Sequence, residues 1–281
     1  MKRRQATIKD VARQAKVSTA TVSRVLNRDE KVSLSTRESV LQAMDELGYR
    51  VNPIARSLRS SITHTIGIIS PEFRNDFFMA VAEGIEDLLR REGYTTFILN
   101  SRESLDEELS RIELLIEKQV DGAILIPAGS RGEHYHRLSE EDIPFVLVDR
   151  VIAGMDTDAV LTDNVQGAYE AVKLAAEDGA ERIALLGGDP SISSARERHQ
   201  GYMKALTEQG IPADESIITY GDMHFGSGYS LMGKILEADP GIRHVFVVNL
   251  FMRLGAEKYL AEEGNSDIRF IAFDESPLGT F

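Results

Sequence analysis

The chain is 281 residues long, 42% hydrophobic and 27% charged, with a formal net charge of −13 and no cysteine. That length carries roughly two domain cores, and the lack of cysteine excludes disulfides, thiolate metal sites and cysteine nucleophiles. No apolar run reaches the length of a bilayer span and the start, MKRRQATIKD, has no signal-peptide core, so a cytoplasmic protein is expected. The charge is unevenly divided. Residues 1–60 hold 13 Lys and Arg against 6 Asp and Glu, whereas the rest of the chain holds 19 against 39. A basic segment on an acidic body suits a polyanion-binding module, unless the segment is only a solvated tail. The distinction rests on whether it is patterned as a folded reader.

It is so patterned. Thr7 is placed to cap a helix with Asp10 in its first turn and Ile8, Val11, Ala12 and Ala15 at helical spacing. After a break at Ala15–Ser18, Ser18 is expected to cap a second short helix with Val22, Val25 and Leu26 inward. Ser35 and Glu38 are expected to form a capping box for a third, buried through Val40, Met44 and Leu47 and ended by Gly48. Three short helices, the first two nearly abutting, describe a helix-turn-helix unit whose second helix enters the major groove. On its outward face Arg24 can take a guanine edge with two hydrogen bonds, while Ala20 and the Thr19 methyl suit a thymine methyl. Thr7, Ser18, Thr21, Ser23, Asn27 and Arg28 join this DNA-binding surface, with hydroxyls and cations suited to phosphate.

The run TIKDVARQAKVSTATVSRVLN, followed by KVSLSTRESVLQAMDELGYRVNPIARSLRS, resembles the headpiece of the LacI/GalR family of bacterial repressors. One departure is Lys16, where the family usually carries glycine; a positive φ there would cost Lys about 1 kcal/mol. Pro53 can open a short hinge helix with Ile54, Ala55 and Leu58 as an apolar stripe, marginal on its own. The resemblance implies that two such helices pair on DNA and that Leu58 wedges into the minor groove, with Asn52, Ala55, Arg56 and Arg59 beside it on the duplex. The alternative is a linker in which Leu58 packs on the body. The expected organisation is a DNA-binding domain at 1–50, a hinge helix at 51–60 and an effector-binding and dimerisation domain at 61–281.

From His64 onward short apolar runs alternate with amphipathic stretches. The runs are HTIGIIS, YTTFILN, DGAILIP, IPFVLVD, AVLTD, RIALLGG, SIITYG, HVFVVN and RFIAF; helical patterns separate most of them, and a polar stretch separates DGAILIP from IPFVLVD. Repeated β-then-α units predict parallel sheets with helices on both faces. Together with the headpiece this gives an all-α helix-turn-helix unit joined to an α/β domain. The resemblance implies two lobes like those of a periplasmic sugar-binding protein, about 61–161 and 162–281, crossing over near Leu161–Asn164.

Ligands of such sheets bind beyond the carboxyl ends of the strands. There Phe77 and Phe78 could stack on a ring or merely pack a helix start. Asp149, Asp163, Asn249 and Asp274 end four strands, and carboxylates with an arginine can hold sugar hydroxyls or base edges. The resemblance assigns Ser194 and Arg198 of SSARERHQGY, and Asp274, to the effector, whereas Arg196 suits a surface ion pair. Met223 falls where relatives place an aromatic ring, and Leu250 follows Asn249 where relatives carry Asp. A sugar or sugar phosphate is the leading effector, a nucleobase the second. The chain stops at Phe281, where the resemblance implies one or two further βα units, so its far lobe is expected to be incomplete.

An enzyme is the first rival reading. The chain has no GxxxxGK[ST] loop, no GxGxxG after the first strand and no GxSxG elbow, and no cofactor is expected. His134 and His136 sit in a polar stretch without a third metal ligand, and Glu107-Glu108 and Glu262-Glu263 read as solvated helix faces. A periplasmic receptor, the second rival, needs an export signal and no reader helix. The expected function is thus a dimeric repressor that binds a pseudo-palindromic operator under the control of a small molecule.

Overall fold

The computed structural model describes residues 6–26, 29, 31–50, 62–265 and 267–274. The chain divides into two compact units, one through Thr63 and one from His64.

In the first unit α1 (Ile8–Gln14), α2 (Thr19–Leu26) and α3 (Leu34–Leu47) surround a small core in which Val11, Val22 and Val40 are fully buried. Each boundary has a local cause. Thr7 Oγ1 and its N–H both donate to Asp10 Oδ2, at 2.7 and 3.0 Å, and start α1. The end of α1 is a Schellman turn: Lys16 N–H returns to Arg13 O and Val17 N–H to Ala12 O, with Lys16 at φ +54°. The family's usual glycine would meet that backbone without strain; Lys16 holds it at about 1 kcal/mol. Ser18 Oγ accepts the Thr21 N–H at 3.0 Å to begin α2. The cap of α3 corrects the expectation: Ser33, not Ser35, is the N-cap and accepts the Thr36 N–H, because the helix begins at Leu34. Gly48 ends α3 in the left-handed conformation at φ +60°.

The second unit holds two parallel sheets. The first has the order β2-β1-β3-β4-β5, formed by β1 (Thr65–Ser70), β2 (Thr95–Asn100), β3 (Gly122–Leu125), β4 (Phe145–Val148) and β5 (Ala159–Val160). The second has the order β7-β6-β8-β9, formed by β6 (Ile183–Gly187), β7 (Ile218–Tyr220), β8 (His244–Val247) and β9 (Arg269–Ala272). Every pairing is parallel, so each connection must cross over, and helices do so everywhere but between β4 and β5, which a loop joins. The helices α4 (Asp76–Arg91) and α5 (Leu105–Glu117) follow β1 and β2, and α7 (Asn164–Glu177) joins the two sheets. In the second sheet α8 (Ser193–Glu208), α9 (Phe225–Ala238) and α10 (Leu250–Glu262) are the crossovers; α7 packs on α8 and α9 on α10. The polar stretch after β3 is ordered. A short 3₁₀ turn, Glu133–Tyr135, runs into α6 (His136–Glu140), because Tyr135 and Leu138 are fully buried in the first sheet's core.

Strand order reverses beside β1 in the first sheet and beside β6 in the second. Those switch points leave a crevice at the carboxyl ends of the strands.

Candidate functional site

Two surfaces carry chemistry, one in each unit. In the first unit the start of α2 presents Thr19, Ala20 and Arg24 to solvent, while Val22 and Val25 face the core. Ser18 is exposed but its hydroxyl lies 2.9 Å from that of Thr21, and the Thr7 hydroxyl is engaged by Asp10. These three hydroxyls therefore shape the helix starts, and Ser23 is half-buried. Asn27, Arg28, Asn52, Ala55, Arg56, Leu58, Arg59 and the expected hinge helix lie outside the described residues. A helix whose exposed first turns bear a small residue, a threonine methyl and an arginine can read base edges in a major groove.

In the second unit a cavity lies at the strand ends of both sheets. Phe77, Phe78, Asp149, Ser194, Arg198, Met223, Asn249 and Asp274 all line it, so residues separated by up to 197 positions meet there. Asp163 is not among them. It is exposed and its carboxylate accepts the Gln166 N–H, capping α7. The next residue, Asn164, turns inward instead and takes the Nε of Arg198 at 2.9 Å. Glu72, Asn75, Glu103, Arg150, His224 and Phe251 complete the lining.

Buried charge organises the cavity. Arg198 is held by Asn164 Oδ1, by Val248 O at 2.6 Å and by the ring of Phe273 at 3.8 Å, with Asp274 3.9 Å away. Burial pulls its pKa down, and Asp274 and Asp149 oppose that. Arg150 is nearly inaccessible. Its Nη1 donates to Glu103 Oε2 and Pro127 O at 2.9 and 2.8 Å, its Nη2 to Glu103 Oε1 at 3.1 Å, and it lies over the Phe78 ring. Asp149 Oδ1 is buried and, among the described residues, accepts no hydrogen bond. Burial pushes the Asp149 carboxyl up, against the pull of Arg150 and Arg198. Glu103, Asp149 and Met223 all sit at positive φ, +53°, +66° and +66°. Glu103 and Asp149 follow strands of the first sheet and Met223 a strand of the second, so both sides of the cavity carry such backbone. Both ends of the Asn249 amide are spent on the fold, Oδ1 on the Met252 N–H and Nδ2 on Met223 O; Asn249 therefore shapes the wall that Met223 forms.

Several residues fall differently from the sequence reading. Glu108 is fully buried, not solvated, and accepts both the Ala128 N–H and His134 Nε2; His134 is accordingly tied into the core and not exposed in a polar stretch. Arg196 makes no ion pair among the described residues and donates to the carbonyls of Pro190 and Ser191.

The carboxyl of Asp149 gives a pH-dependent prediction. A raised folded pKa means that stability is greatest below the ordinary carboxyl range and is lost as pH rises through the folded value. Asp149→Asn, whose side chain tolerates positive φ, is expected to raise the melting temperature of the ligand-free protein at pH 7. The gain should shrink towards pH 4 in a calorimetric series; a lower melting temperature at pH 7 would contradict it.

Residues 7–52 match the family model "Bacterial regulatory proteins, lacI family". Residues 63–272 match "Periplasmic binding proteins and sugar binding domain of LacI family". The chain belongs to the LacI family. Among its LacI-family relatives, catabolite control protein A of Priestia megaterium is 37% identical over 279 residues, which cover 98% of this chain and 84% of the relative. The transcriptional repressor PurR of Vibrio atlanticus is 35% identical over 98% of this chain and 84% of its own length. The Lac repressor dimer bound to operator and an anti-inducer superposes with a TM-score of 0.82 at 26% identity, covering 98% of this chain and 84% of that one. The complex of the regulator CelR with cellobiose superposes at 0.68 with 29% identity, over 94% of this chain and 81% of that one. This LacI-family chain is a DNA-binding transcription regulator with a periplasmic-binding-protein-like sensor fold. Among its described residues no helix is long and apolar enough to cross a membrane.

Proposed function

We propose that the chain represses transcription as a homodimer on a pseudo-palindromic operator, under the control of a small molecule held in the cavity between its two sheets. The cavity carries this reading: buried Arg198 and Asp149 and half-buried Asp274, drawn from the first turns of α8 and from the ends of β4 and β9, converge on one space. Two copies of α2 would enter successive major grooves. Arg24 would read a guanine, Thr19 and Ala20 a thymine methyl, and the Ser18, Thr21 and Ser23 region a phosphate. The hinge residues Asn52, Ala55, Arg56, Leu58 and Arg59 would meet the central base steps. A ligand that spans both sheets fixes their relation, and shifts DNA affinity by its differential affinity for the two arrangements. The protein acts by binding, not catalysis, and works in the cytoplasm at the nucleoid.

Selection of duplexes from a random library at defined salt tests this. A recovered pseudo-palindrome supports the dimeric repressor, and weak, sequence-blind binding overturns it. On the recovered site Arg24→Ala is expected to cost about 1–3 kcal/mol and to relax specificity at one base pair. An equal loss on every duplex would make Arg24 a phosphate contact.

A further inference from the structure

The cavity contains two guanidinium groups, and both are largely engaged within the fold. Arg198 spends Nε and Nη1 on Asn164 and Val248 and stacks on Phe273. Arg150 has both Nη atoms on the two carboxylate oxygens of Glu103 and a further bond to Pro127 O. At Asp149 the wall lacks a donor in place, although Arg150 Nε is itself buried without a partner among the described residues. Asp149 Oδ1 is buried on its wall without a hydrogen-bond partner among the described residues, and the other Asp149 oxygen lies 3.6 Å from Arg150 Nε, beyond hydrogen-bond reach. Four carboxylates, Glu72, Glu103, Asp149 and Asp274, line the space against these two occupied cations.

We propose that Glu103 sets the charge class of the ligand: by occupying Arg150 it turns the cavity into a site for an uncharged, donor-rich molecule and excludes phosphorylated ones. This rests on the reading of the cavity as the effector site. A hydroxyl or ring N–H supplies the hydrogen that Asp149 Oδ1 lacks, and a buried acceptor left unmatched is costly. A phosphate would bring further acceptors to Asp149 Oδ1, which needs a donor. It would also have to displace Glu103 from a paired, desolvated guanidinium before Arg150 faced it, with the surrounding carboxylates repelling its charge. The position of Glu103 favours this role. It stands at φ +53° in the turn after β2, a strained placement that directs its side chain onto an arginine 47 residues away. Phe77, 40% exposed, offers an apolar face to a ring that carries the hydroxyls.

Three full-length proteins test the assignment, namely wild type, Glu103→Ala and the double variant Glu103→Ala/Arg150→Met. Each is titrated by calorimetry and thermal unfolding with ribose, glucose and cellobiose, with ribose 5-phosphate and glucose 6-phosphate, and with inorganic phosphate. Wild type should bind every phosphorylated probe at least about tenfold more weakly than its parent sugar, as like-charge juxtaposition requires. Glu103→Ala should gain affinity for inorganic phosphate and the sugar phosphates, and the double variant should lose that gain. Glu103→Gln, which keeps the shape of the side chain, serves if the alanine variant does not fold. Wild type binding a sugar phosphate more tightly than its parent sugar would overturn the proposal, as would a Glu103 variant that folds and gains no phosphate affinity. If no neutral probe binds wild type while the Glu103 variants gain phosphate, the charge gate stands and the effector reading of the cavity is what fails.

Discussion

Replacing Arg198 with alanine is expected to cost the second unit about 3–5 kcal/mol, the range for removing one partner from a buried charge network. The side chain is 7% exposed and has three kinds of partner: the Asn164 amide oxygen, the Val248 carbonyl and the face of Phe273. Its removal leaves two buried acceptors without donors and strips Asp149 of one of the cations that offset its burial. Lysine would not restore the site, since an ammonium lacks the planar fork that reaches both acceptors while lying flat on an aromatic ring. The loss should be pH-dependent. With the cation gone the Asp149 carboxyl rises further, so its contribution is retained at low pH and lost as pH rises. The deficit of Arg198→Ala should therefore narrow from pH 7 towards pH 4, and sugar titrations should show no binding at either pH. A full-length variant within about 1 kcal/mol of wild type in denaturant unfolding would remove Arg198 from the centre of the network.

Local rules were legible in the sequence wherever the chain enforces them over a few residues. The nine apolar runs match the nine described strands; the central ones, such as β6, bury both faces and read as continuous runs, while the edge strands β2 and β5 are apolar but largely exposed. The turn at Lys16, the cap at Ser18 and the stop at Gly48 depend on neighbours within five positions. Even there the cap of α3 slipped by two residues, because Ser33 and Ser35 are equally good local candidates and only the start of the helix at Leu34 separates them. What failed was sidedness, which distant partners decide. Asp163 and Asn164 are adjacent, and only the arrival of Arg198 makes Asn164 the inward one. Glu108 follows two acidic residues in a first turn, and its burial follows from the Ala128 N–H and His134, 20 and 26 positions away. Arg150 carries no local signal beside Asp149 for the same reason, as the residue that neutralises it lies across the sheet at Glu103.

The glycines of α9 and α10 look like weaknesses in the sequence, since glycine inside a helix costs about 1 kcal/mol relative to alanine. The packing explains them. A Cβ on Gly228 would fall on the carbonyl of Met252, and a Cβ on Gly255 on the carbonyl of Phe225, so the two helices touch backbone to backbone at reciprocal positions. Gly255→Val is expected to destabilise the unit by about 3 kcal/mol or more, the upper part of the range for overpacking, because backbone cannot rotate away as a side chain can. Gly84→Ala in α4 is the internal control. Nothing lies within 4 Å of its added Cβ, and it should gain about 0.5–1 kcal/mol from helix propensity alone. Opposite signs at two helical glycines would separate propensity from packing; two small effects of one sign would mean that α9 and α10 can slide. The consequence reaches the cavity. Asn249 caps α10 and donates to Met223 O in the loop before α9, so the crossing sets where Met223 stands on the cavity wall. Gly255→Val should therefore weaken sugar binding as well as stability, whereas Gly84→Ala leaves binding unchanged.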